Sequence, residues 1–194
     1  MRRTPEGTRR AAIALAALAV VLSLSGCFAD EEPVPTTTPV PSSTPIFATE
    51  EEALAAAEEA YANYQDLETV IFSNGGKGSA EIKDVATRSA LEEALAGFSR
   101  FEEDGLHSTG EPDFTITDLQ YVSDTGANGE DVLGAYLCLD VSRVDVVDSN
   151  GNSVVSPDRA DVQGYEVSFD HRGDESTALI LSSRTIWTGA DLCD

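Results

Sequence analysis

Three cysteines and two histidines are the residues of this chain best suited to chemistry, and their settings point to attachment and bracing rather than to turnover. Cys27 follows Leu24-Ser25-Gly26 at the end of an apolar run from Ala11 to Leu24. Small residues before a cysteine in that setting are what a signal peptidase needs, and the cysteine it frees can carry lipid. Each buried acyl methylene contributes about 0.8 kcal/mol, so two or three chains hold a protein durably where one does not. Lipidation of Cys27 leaves Cys138 and Cys193, and an oxidising exterior lets them pair. Two buried free thiols are the other reading. A bridge would close 56 residues, counting both cysteines. The chain-entropy model gives about 4 kcal/mol for such a loop. It would also pin Cys193, the penultimate residue, at an end that otherwise frays.

The remaining candidates for chemistry are weaker. His107 follows a helix-stopping Gly105, and His171 sits in Phe169-Asp170-His171-Arg172-Gly173, a strand end and turn; both read as exposed. Asp140, on a strand, is the best single pocket carboxylate, with a structural partner for Arg143 or Arg184 as its other role. Tyr61, Tyr64 and Trp187 are further pocket candidates, the two tyrosines reading first as core. Asn74-Gly75-Gly76-Lys77-Gly78 lacks the spacing of a phosphate-binding loop, and helix rather than strand precedes it. Asp148-Ser149-Asn150-Gly151-Asn152 imitates the start of a calcium loop, but its glycine is misplaced and the twelfth position is Arg159. The serine motif Gly-x-Ser-x-Gly is absent. The residues therefore point to no metal, no cofactor and no enzyme.

The leader supports the reading of Cys27. Residues 1–10 carry four arginines and one glutamate, and the apolar run after them is too short for the ~20 residues that span a bilayer. Together with Leu24-Ser25-Gly26-Cys27 this resembles a bacterial lipoprotein signal, with cleavage after residue 26. An ordinary secretory signal or an uncleaved anchor is the alternative. The full chain carries a net charge of −23; residues 27–194 hold 8 basic and 34 acidic residues, a net −26. Such a domain repels nucleic acid and anionic headgroups. Residues 27–48 read as a linker: five prolines and a Thr/Ser cluster give no apolar face, and the extended tether reaches about 60 Å.

The domain expected to fold runs from Thr49 to Asp194. Thr49 and Glu52 form a capping box, and Glu50, Glu51 and Glu52 complement the helix dipole. Leu54, Ala57, Tyr61, Tyr64, Leu67 and Ile71 then predict an apolar stripe on a helix ending before Asn74. A short helix from Ser79 to Ala86 and a longer one capped by Ser89 and Glu92 follow, stopping at Gly105. Beyond Pro112 the period shortens to two. Phe114 to Tyr121 forms a strand with a slip near Asp118. Asp131 to Val147 is the clearest strand, with Leu133, Ala135, Leu137, Leu139 and Val141 on one face and Val132, Tyr136, Cys138 and Asp140 on the other. Asn150-Gly151 signals a hairpin. Strands around Tyr165–Phe169 and Thr177–Trp187 complete the set. Helices followed by strands predict an α+β fold, with N-terminal helices packed on a curved, mainly antiparallel sheet of four or more strands.

Several features together resemble the nuclear transport factor 2-like superfamily, the cystatin-like cone folds, and lipoproteins of that type in high-GC Gram-positive bacteria. They are the tyrosine-bearing first helix, Gly97-Phe98-Ser99 leading to Gly105, Cys138-Leu139-Asp140 before a hairpin, and Trp187 with Cys193. Ten arginines against two lysines and many alanines suit such a genome. The resemblance implies a cone with a pocket between helix and sheet. Enzymes of the superfamily place His, Asp or Tyr there, so a small hydratase, isomerase or cyclase is one alternative and a structural envelope protein is another. The expectation carried forward is a non-catalytic domain on the outer face of the cytoplasmic membrane. Its expected partners are the membrane, through the lipid, and a small apolar ligand or an envelope protein.

Overall fold

The first helix starts where Thr49 predicts. The computed structural model describes residues 45–123, 130–173, 177–189 and 192–193; the leader, Cys27 and most of the linker lie outside them. In α1 (Glu50–Ser73) the Thr49 Oγ1 accepts the Glu52 N–H at 3.1 Å. Glu52 Oε2 accepts the Ala48 N–H at 2.8 Å, so the box closes one residue earlier than its usual form. Phe47 is buried in the core and Ile46 packs beside it. The core thus reaches into the stretch read as linker, because two apolar residues just before the cap can fold back onto the helix.

α1 ends at Ser73 with Asn74 as its C-cap, and Gly76, two residues further on, is left-handed, with φ +84°. A Cβ there would stand 2.1 Å from the Phe98 carbonyl oxygen, so only glycine admits this contact with the second helix. A short 3-10 segment (Ser79–Asp84) leads into α2 (Arg88–Asp104). The expected capping by Ser89 is not what forms. Thr87 occupies the cap position, and the Ser89 hydroxyl instead donates to the Ser182 carbonyl at 3.3 Å, tying α2 to the sheet.

Among the described residues six strands follow: β1 (His107–Thr109), β2 (Asp113–Val122), β3 (Leu133–Asp140), β4 (Asp145–Val147), β5 (Val162–His171) and β6 (Leu179–Ile186). The main sheet is antiparallel in the order β2-β3-β5-β6, and β1 pairs with β4 in a separate two-stranded ribbon. The two helices pack on this curved sheet, which makes the fold α+β as expected. Its curvature has local causes. The β2–β3 register shifts between Ile116 and Asp118 and again between Leu119 and Tyr121, where the apolar phase of the sequence slips. A third shift lies at Ser168/Phe169.

The long strand expected from Asp131 to Val147 is two. The Asp140 carboxylate accepts the Ser142 N–H at 2.8 Å, and this side-chain turn breaks the ladder. The chain then leaves the main sheet as β4. Opposite the break, Gly110 (φ +78°) has the Arg143 carbonyl where a Cβ would be, at 2.0 Å, so the ribbon can close against the sheet. The Asn150-Gly151 hairpin reduces to one bridge, Val147 to Ser153. Leu133, Ala135 and Leu137 stand opposite Phe169, Val167 and Tyr165 in register, and these side chains form the sheet side of the core with Tyr61, Tyr64, Ile71 and Phe98. No helix among the described residues is long and apolar enough to cross a membrane.

Candidate functional site

One face of α1 carries Tyr61, Tyr64, Gln65 and Glu68, separated by three, one and three residues, so all four point toward the sheet. All four are buried, and Glu68 is only 6% exposed. From β6, Arg184 reaches this face. Its Nη2 donates to Glu68 Oε1 at 2.9 Å and its Nη1 to Glu68 Oε2 at 3.3 Å, a two-pronged pair. Tyr64 Oη donates to Glu68 Oε1 at 2.6 Å. The guanidinium also lies 5.2 Å from the Tyr64 ring centroid and 5.4 Å from that of Tyr165, within cation–π range.

The electrostatics follow from burial. Desolvation pushes the Tyr61 hydroxyl up to about 12, with Arg184 opposing the shift. Tyr64 is raised further, by burial first and then by the Glu68 carboxylate beside it. Tyr165 is raised chiefly by burial. Burial works against the charge of Arg184, but Glu68 and the two tyrosines outweigh it and hold the guanidinium firmly charged. The three hydroxyls and the guanidinium therefore keep their protons at neutral pH.

Beside this cluster lies a cavity of about 180 Å³. Gln65 and Glu68 form its polar wall; Phe72, Phe101, Leu139 and Val141 form the apolar walls, and Ser108 and Val146 of the ribbon, with Val144 just before β4, line the remaining side, which is partly open. Gln65 is 7% exposed. Its Nε2 donates at long range to Glu68 Oε2 (3.4 Å) and Thr69 Oγ1 (3.5 Å). Its Oε1 has no donor among the described residues. A buried acceptor left in that state costs about 1–3 kcal/mol.

The expected site residues separate. Tyr61 and Tyr64 stand together in the cluster, their rings 5.9 Å apart, behind Glu68 rather than on the cavity wall. Asp140 is not with them. It shares its strand face with Cys138 and Tyr136, turned from the helices, and the Ser142 hydrogen bonds hold its carboxyl below the usual range. Arg184 pairs with Glu68 rather than with Asp140. Trp187 lies across the sheet from the cavity, edge-on to Tyr136 at 5.2 Å. Cys138 and Cys193 form a disulfide. Cys27 lies outside the described residues.

His107 is half-buried on β1, and His171 ends β5 half-buried, so neither is as exposed as its sequence setting suggests. Asp148 accepts from both the Asn150 and Asn152 backbone amides, which pulls it down to about 2, the Asn152 amide first. The turn that imitates a calcium loop thus uses its carboxylate internally. Among the described residues no group of three or more His, Cys, Asp or Glu side chains is placed to hold a metal ion.

Sequence reasoning missed Glu68 and Gln65. The signal was present: Glu68 lies four residues after Tyr64 and three before Ile71, on the stripe that defines the buried face. A carboxylate there demands a cation, and an arginine on a sheet strand is the natural donor.

No family model matches the chain, and no curated protein matches it. Four chains among solved structures show distant likeness, including these two. One is the intermembrane-space region of the chloroplast protein ARC6, at 13% identity and a TM-score of 0.45, covering 69% of this chain and 95% of that one. The other is a de novo designed β-sheet protein solved by NMR, at 11% identity and a TM-score of 0.29, covering 74% of this chain and 94% of that one.

Proposed function

We propose that this is a lipid-anchored, extracytoplasmic binding domain of the nuclear transport factor 2-like kind, and that it holds a small apolar molecule in the cavity between α1 and the β1–β4 ribbon. The observation that carries the binding reading is the cavity itself. An apolar cavity of about 150 Å³ holds benzene, and this one is of comparable size, about 180 Å³. Its walls are apolar except at Gln65, Glu68, Thr69 and Ser108. The adjoining cluster supports binding over proton transfer. A general acid or base works best with a pKa near the operating pH, and Tyr61, Tyr64 and Tyr165 are all shifted away from it. The anchor rests on the charged leader, the apolar run and Leu24-Ser25-Gly26-Cys27.

Native mass spectrometry of the full-length gene product, purified in lipid nanodiscs and released in the gas phase, tests both parts. The expected spectrum has an acylated Cys27 at the mature N-terminus and a small molecule that Val144→Trp displaces. An unmodified Cys27 overturns the anchor. A bare polypeptide mass in wild type and variant alike overturns the ligand.

A further inference from the structure

We infer that the pocket beside Glu68 takes the hydrocarbon tail of a single-chain amphiphile, whose uncharged, hydroxyl-bearing head lies in the cleft next to it. This rests on the binding reading above and adds the chemical class of the ligand. The pocket has almost no polar group to offer. Both Glu68 oxygens are held by Arg184, at 2.9 and 3.3 Å, and one also by Tyr64 at 2.6 Å. The Gln65 Oε1 is sealed from any occupant, and its Nε2 faces Glu68 and Thr69. What remains is the hydrocarbon of Phe72, Phe101, Leu139, Val141, Val144 and Val146. A polar group brought there would lose its water and gain no partner. The six carbons of benzene occupy an apolar cavity of about 150 Å³, so about 180 Å³ takes about seven.

The pocket is partly open, and a wider cleft of about 530 Å³ meets it at Thr69, Ser108 and Gly110, which line both. The chemistry changes across that boundary. Besides Thr69 and Ser108, the cleft presents the hydroxyls of Ser73 and Thr109. Ser73 Oγ donates to the Val70 carbonyl at 2.9 Å, which leaves its lone pairs to accept. Thr69 Oγ1 accepts from Gln65 Nε2 at 3.5 Å, which leaves its own proton to donate. Hydroxyls that both give and accept suit a head of the same kind, a sugar or a polyol. Charged heads fare worse. Arg143 is the only cation among the described residues lining either space, and it already meets Asp113 at 3.3 Å, with Glu111 in the same cleft. An anionic head thus meets two carboxylates for one guanidinium. A cationic head finds only exposed carboxylates, and such pairs contribute little. A ligand that fills one space with hydrocarbon and the other with hydroxyls must carry both.

The test uses the full chain in lipid nanodiscs, with empty nanodiscs as blank and every probe held below its micelle concentration. The probes are n-alkyl glucosides from butyl to decyl, octanoate, toluene (a tail without a head) and methyl glucoside (a head without a tail). Binding is read from the methyl NMR shifts of Val144 and Val146 in the pocket and of Thr109 in the cleft. The alkyl glucosides are expected to move all three, tightening about fourfold per methylene up to heptyl and levelling beyond it. Toluene should move the valines alone, methyl glucoside should move none, and octanoate should bind more weakly than octyl glucoside. Thr109→Val should weaken octyl glucoside about fivefold and leave toluene unchanged. Toluene binding with Thr109 unmoved by every glucoside, or Thr109→Val without effect, overturns the head site and leaves the apolar-pocket reading standing. Tightening that continues undiminished to decyl belongs to the bilayer and overturns the tail site. Octanoate binding as tightly as octyl glucoside overturns the uncharged head. If no probe moves the valine methyls, and Val144→Trp behaves as wild type, the pocket reading falls with the inference.

Discussion

The two faces of the four-stranded sheet are held by different means. On the helix side, Arg184 crosses to Glu68 among three tyrosines, and every member of the cluster depends on the others. On the other side, Cys138 is joined covalently to Cys193, and the chain end lies over Gly164, where a Cβ would stand 2.9 Å from Leu192 and 3.4 Å from the Cys193 sulfur. A buried ion pair costs desolvation on both partners, so its loss is dominated by the charge left behind. A disulfide acts mainly by restricting the unfolded chain, so its loss is largely independent of its surroundings. The inner face is therefore cooperative and unforgiving, and the outer face modular.

The sharpest way to break that contrast is Arg184→Met. It strands the Glu68 carboxylate and is expected to cost about 4 kcal/mol in urea unfolding. The double variant Glu68→Leu/Arg184→Met should recover most of the loss, because no charge is left uncompensated. A double variant as unstable as the single one would show that packing, not charge, rules the inner face. Comparable in size is Cys138→Ala/Cys193→Ala, expected to cost about 4 kcal/mol for a sequence separation of 55. Combined with Arg184→Met it should add within about 0.5 kcal/mol, as distant sites do. A strong coupling between them would erase the distinction between the faces.

A smaller effect separates the faces by pH. Tyr61 has a folded pKa of about 12 against a usual value of 10.0. Folding therefore favours its protonated form, and the stability this brings is present below pH 10 and lost as pH rises toward 12. Spectrophotometric titration should show late phenolate formation, and Tyr61→Phe should flatten the alkaline loss of stability over that window. An unchanged alkaline limb in the variant would place the sensitivity elsewhere. The smallest expected change is Thr49→Ala, about 1 kcal/mol from the lost cap, read as a shift of the urea midpoint with unchanged slope.

Much of the scaffold was legible because it is written in local patterns. Thr49 and Glu52 marked the start of α1, the glycines after Asn74 marked its end, and the phase slip at Asp118 marked the first register shift. The alternation of β3 already put Asp140 on the face of Cys138 and Tyr136, away from Leu137 and Leu139. Taken at face value, that alternation argues against Asp140 as a pocket group. Ser89 misled because its hydroxyl has a nonlocal partner, the Ser182 carbonyl, which no local rule contains. The break after Asp140 was equally hidden, since Val141, Val144 and Val146 continue an apolar pattern while the Asp140–Ser142 hydrogen bond ends the strand.

By itself the sequence determined the start and end of α1, the stop of α2 at Gly105, the alternation of the strands, the acidic charge and the presence of two cysteines able to pair. Each of these depends on residues close in the chain or on composition. Only the tertiary structure decided that Glu68 meets Arg184 across 116 residues, that Cys138 meets Cys193, and that the β1–β4 ribbon forms one side of a partly open pocket lined by Gln65. Those are products of strand order and sheet curvature, and a charge or an amide on a helix stripe acquires its partner, or is left without one, only when the sheet is in place.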